Sequence, residues 1–192
     1  MFEYSGYQLR RKVLTFAGAK VHVTDEQGVL AAFVHVKAFK LKEDIRVYRD
    51  EQRADELMQI KARKIIDFSS AYDVVESASG RKLGALRRRG LKSIMRDEWQ
   101  ILDAQDNEVG KIVEDSTALA LIRRAVDFAA MILPQKYRGT IGDDHVMTFK
   151  QNFNPFVMKI GLDFAPEAKG RIEPGLAIAA GILLCVIEGK QN

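Results

Sequence analysis

Twelve consecutive residues near the C-terminus, Leu176 to Ile187, are apolar or glycine without interruption, and Pro174 stands just ahead of them. Proline suits the first turn of a helix, and a helix with no polar side must be enclosed all round. Twelve residues rise about 18 Å, well short of the roughly 30 Å of bilayer hydrocarbon, so the segment does not span a membrane by itself. Burying its large side chains is worth on the order of 15 kcal/mol before chain entropy is charged. The rest of the chain is expected to wrap around this rod.

Most of the remaining sequence alternates in twos, as strands with one buried face do. Val21 and Val23, then Val29, Ala31 and Phe33, then Ile45 and Val47, then Met58, Ile60 and Ala62 read as apolar faces. So do Tyr72 and Val74, Trp99 and Ile101, and the run Phe156, Met158, Ile160, Leu162 and Phe164. Turn-forming stretches fall between them at 25–28, 49–52, 77–80 and 104–107, each joining two strands as a hairpin. The apolar approaches end at Val23, Val47, Val75 and Leu102, a recurrence of hairpin units. Few irregular units leave open sheet edges unless the sheet closes on itself. The expected fold is therefore mainly β, a single domain over residues 1–192, built as a closed antiparallel barrel of hairpins around a buried C-terminal helix. One segment breaks the period: residues 117–133, ahead of Pro134, read as an inserted helix with a narrow polar stripe.

Thirty Lys and Arg against 26 Asp and Glu leave a net charge of +4, a mild bias toward anions. The distribution says more. Arg81, Lys82, Arg87, Arg88, Arg89, Lys92 and Arg96 follow one another with no acid between them. Residues 1–6 lack the basic and apolar regions of an export signal, which sets a cytoplasmic expectation. Cys185 is alone in the chain and reads as a small core hydrophobe.

The stretch from Gly80 to Arg88, then Trp99-Gln100-Ile101-Leu102-Asp103, Glu108-Val109-Gly110-Lys111-Ile112 and Leu176-Ala177-Ile178-Ala179-Ala180 resemble the tubby C-terminal-like superfamily, in its LURP-one-related and phospholipid-scramblase-like branch. The resemblance runs from about Val13 to Ile187. It implies roughly a dozen strands in a barrel around a buried C-terminal helix. It implies less about activity: tubby domains bind phosphoinositides, scramblases are linked to lipid movement and calcium, and many members have no settled role. The 117–133 stretch looks like an insertion, and Arg171-Ile172-Glu173-Pro174 departs from the acidic lead-in the branch often carries. A tubby phosphoinositide pocket finds no residue-by-residue match here.

Catalytic and metal chemistry find little support. Asp103, Gln105, Asn107 and Glu114 fit a calcium-loop spacing, but Glu108 replaces the required glycine and the flanks read as strands. His22, His35 and His145 sit in separate strands without paired ligands, and Asp143-Asp144-His145 reads as a loop entering a strand. No phosphate-binding glycine loop or nucleophile elbow is present. No catalytic residue, metal or cofactor is expected.

The basic stretch is the best functional clue. On a strand Arg87 and Arg89 point to one face and Arg88 to the other, with Lys92 and Arg96 beyond Gly90. Guanidinium groups grip phosphate in bidentate fashion; the alternative is an edge strand kept soluble by charge. Leu119, Ile122, Arg123, Arg124 and Phe128 of the inserted helix mark a partner or membrane contact. The reading is a noncatalytic module that engages anionic phospholipid headgroups or a protein partner through a basic surface. It needs no specific nucleic acid and no transmembrane span, and it allows peripheral membrane contact. The alternatives are an intracellular small-ligand carrier or enzyme with a site inside the barrel, and a structural homo-oligomer.

Overall fold

The computed structural model describes residues 2–12, 18–37, 44–63, 70–89, 98–115, 135–152 and 157–187. Twelve strands are formed among them: β1 (Tyr7–Lys12), β2 (Gly18–Asp25), β3 (Leu30–Lys37), β4 (Ile45–Tyr48), β5 (Glu56–Ala62) and β6 (Ser70–Glu76) in the first half. The second half supplies β7 (Lys82–Arg88), β8 (Glu98–Leu102), β9 (Glu108–Glu114), β10 (Lys136–Ile141), β11 (Asp144–Asn152) and β12 (Val157–Phe164). Each pairs antiparallel with its neighbours in sequence, and β1 pairs with β12, so the sheet closes into a barrel with no free edge. Helix α1 (Pro174–Ile187) fills the lumen. It packs against β12, β1, β7, β2 and β6, and every residue from Pro174 to Val186 is buried.

Two glycines admit it. At Gly84 on β7 a Cβ would lie 2.5 Å from the Leu102 carbonyl oxygen and 2.8 Å from Leu176 Cδ2, and the backbone φ of +151° is one that side chains disfavour. At Gly181 a Cβ would come within 3.0 Å of Leu9 and 3.3 Å of Phe149, so its absence brings α1 close to β1 and β11.

The two ends of the barrel differ. Short turns at 26–29, 49–55, 77–81, 103–107 and 142–143 close one end, where α1 enters after a 3-10 turn, Pro166–Ala168. There Tyr4 lies edge-on to Phe164, its hydroxyl donates to the Ile172 carbonyl at 2.7 Å, and Arg81 pairs with Glu173 at 2.8 Å. The other end holds the helix C-terminus, which leaves carbonyls without helical partners. Arg11 of β1 points inward there and donates from Nη1 to the Cys185 carbonyl at 2.6 Å. The guanidinium is buried, its Nε has no partner, and desolvation lowers its pKa from the ordinary value.

Several expectations are corrected or extended. In β3 the inward residues are Ala32, Val34 and Val36, whereas Val29 is 62% exposed and Phe33 is buried on the outer wall against His22. Both faces of this strand are apolar, and a register shift at Val23/Thr24 sets the phase. Strand β1, unread in the sequence, completes the closure. The predicted inserted helix at 117–133 lies outside the described residues.

Candidate functional site

The register shows what becomes of the basic stretch. Leu86 points into the lumen with Tyr72 and Ile101 as cross-strand neighbours, which turns Arg87 outward beside Gln100 and puts Arg88 on the same side as Trp99. Arg89, just past β7, pairs with Glu98 at 3.0 Å. The sequence run is free of acids, yet the fold brings acids to it. Lys82 meets Asp73 at 3.1 Å and Asp106 at 2.7 Å, and Arg81 meets Glu76 and Glu173. Arg87 is left without an ion-pair partner among the described residues. Lys92 and Arg96 lie outside the described residues, as do Leu119, Ile122, Arg123, Arg124 and Phe128. What the fold does fix is where their segments attach. Arg89 and Glu98 flank one, Asp115 and Gln135 the other, at neighbouring strands of the helix-C-terminal rim.

Beside Lys82, Arg63 binds both oxygens of Asp73 and also Asp106, forming a compact four-residue network on the outer wall. Hydrogen bonding from Arg63 holds the Asp73 carboxyl below its ordinary range, and Lys82 does the same for Asp106. With two cations on two carboxylates, this cluster is internally neutralised. The calcium-like spacing resolves into a hairpin turn in which Asp103 Oδ1 accepts from the Gln105 and Asn107 N–H groups, both at 2.9 Å. No metal-ligating cluster exists among the described residues. Cys185 is fully buried and its thiol is pushed up to about 12 by desolvation.

Charge is distributed unevenly along the barrel axis. The turn end carries Glu26, Asp50, Glu51, Asp55, Asp103, Asp143, Glu167 and Glu173 against Arg49, Arg53, Arg81, Lys169 and Arg171, with Asp106 and Lys82 balancing each other. At the helix-C-terminal end the sign inverts. On the outer wall near that rim, Lys136 of β10 stands directly opposite Lys150 of β11, and Lys159 of β12 directly opposite Arg10 of β1. Lys150 pairs with Asp163 at 3.0 Å, and Lys136 lies 3.8 Å from Asp115. Arg10 and Lys159 have no carboxylate partner among the described residues. The sequence reading missed this group because its members are far apart in the chain; the only local signal is one or two cations at outward positions of each strand, as with Lys136 and Arg138 of β10.

Next to it, on the turn side, lies an outer groove of about 370 Å³ lined by Gly6, Tyr7, Gln8, Thr24, Asp25, Glu26, Gly28, Gly161 and Asp163. Its acids are already engaged: Asp25 accepts from two turn N–H groups, Glu26 from Gly6, and Asp163 holds Lys150. Among the described residues no helix is long and apolar enough to cross a membrane. The curated proteins offer no match to this chain. A family model described as LURP-one-related matches residues 30–187, more than half of the sequence and all of the barrel from β3 to α1. The chain belongs to the LURP-one-related family, within the tubby-like superfamily.

Proposed function

We propose that this protein is a noncatalytic binding module that engages anionic phospholipid headgroups through the helix-C-terminal end of its barrel, at the cytoplasmic side of a membrane. The observation that carries this reading is the charge separation along the axis, with Arg87 outward beside that rim and without an ion-pair partner among the described residues. Each basic side chain held near an anionic membrane surface gains about 1 kcal/mol, so a handful of them is enough for reversible peripheral binding. A lumen occupied by α1 leaves the outer surface to carry the function, which weighs against a carrier or enzyme with its site inside the barrel. An acidic protein partner is the competing occupant of the same surface.

The test is cosedimentation with phosphatidylcholine vesicles with and without phosphatidylserine, at low and high salt. Binding is expected only with phosphatidylserine, weakening with salt as screening shortens the reach of the charges. It is expected to drop further when Arg87→Glu is combined with Arg89→Glu. Equal binding by wild type and this variant, with the fold intact by circular dichroism, would overturn the proposal.

A further inference from the structure

We infer that the lipid-binding surface extends from the β7 rim onto the outer wall formed by β10, β11, β12 and β1, so that the barrel meets an anionic bilayer leaning on this wall with its turn end directed away. The inference rests on the function proposed above and adds its orientation. Like charges directly opposed across a strand pair destabilise a sheet. Two such pairs occur on these strands, Lys136 with Lys150 and Lys159 with Arg10. Lys150 sits opposite Gly161, two residues from Lys159, so the pairs adjoin. Asp115 and Asp163 neutralise one pair in part, while nothing described neutralises Arg10 or Lys159. An external polyanion removes that repulsion.

On this wall Arg10, Lys136 and Lys150 are exposed and Lys159 is half-buried, and the outer face of a closed barrel is convex, so it suits an extended anionic surface and gives no enclosure to a small free phosphate. Its sign reverses toward the turns, where Asp25 and Glu26, engaged by backbone N–H groups and by no cation among the described residues, line the outer groove. That boundary would repel headgroups and so fixes which end faces the bilayer. The exposed large hydrophobic residues among those described, Tyr4 and Val29, both lie at the turn end, so the wall has no aromatic platform for stacking bases.

The experiment compares two charge-neutralised pairs in the full chain, Arg10→Gln with Lys159→Gln on the wall, and Arg49→Gln with Lys169→Gln at the turn end. Both change net charge equally. On phosphatidylserine-containing vesicles the wall pair is expected to lose about thirtyfold in affinity, and the turn-end pair less than about twofold. If wild type ignores acidic vesicles, the proposed function fails and this inference with it. If the Arg87 and Arg89 variant weakens binding while the wall pair does not, the function stands and the wall assignment is overturned. Equal losses in both pairs would show a response to net charge alone and overturn it as well. A loss seen with duplex DNA but not with vesicles would overturn it in favour of a nucleic-acid occupant.

Discussion

Replacing Gly84 by alanine adds one methyl group where β7 passes the first turn of α1. The new Cβ would sit 2.5 Å from the Leu102 carbonyl oxygen and 2.8 Å from Leu176 Cδ2. Leucine can rotate away; a carbonyl held in the β7–β8 ladder cannot without shifting the strand. Overpacking of this kind costs about 1–3 kcal/mol, and forcing a side chain into the φ of +151° adds about 1–3 kcal/mol. The expected loss is about 4 kcal/mol, a large part of the 5–15 kcal/mol typical of a domain. Trp99, the single tryptophan and almost fully buried, reports unfolding in urea by its fluorescence. The accompanying variant Leu176→Ala is expected to cost about 2–5 kcal/mol through the cavity it leaves. Because the harder clash is with backbone, combining the two should restore less than about 1 kcal/mol. Gly84→Ala at wild-type stability, or near-complete rescue by Leu176→Ala, would refute this account of how the helix is seated.

Two further outcomes follow from buried and paired groups. Cys185, buried with its thiol pushed up to about 12, should resist a water-soluble thiol reagent in the native protein at pH 8 and react at the rate of unfolding; rapid stoichiometric labelling of folded protein would place it elsewhere. Asp73 and Asp106 have lowered folded-state pKa values, so the unfolded chain binds more protons as the pH falls. The stability they supply is present above the unfolded carboxyl pKa of about 4 and is lost as the pH drops through the folded values. Asp73→Asn should therefore flatten the acid limb of a stability against pH curve, and an unchanged slope would show that the network contributes nothing.

The terminal helix was legible because its residues are apolar on every side, and the hairpins because glycine, asparagine and aspartate mark their turns. Inward alternation was equally plain in β6, β8 and β12. It misled in β3, whose sequence Leu-Ala-Ala-Phe-Val-His-Val is apolar on both faces. It was silent in β1, where a buried arginine occupies an inward position in order to meet a carbonyl 174 residues away. The same distinction governs the site. Arg87, Arg88 and Arg89 are contiguous and could be seen, whereas their acidic neighbours and the cations of the β10 to β1 wall come together only through register. A linear run of charge says which residues are basic; closure of the sheet decides which of them stay unpaired.

That closure joins residues 7–12 to residues 157–162, with the rod that fills the interior following only afterwards. A nascent chain therefore carries an unzipped, hollow sheet with two sticky borders until residues 157–187 have left the ribosome, and contacts this distant in sequence form slowly. Shortening the protein to the segment matched by the family model would strip β1 and β2, leaving β3 and β12 as raw edges open to neighbouring chains.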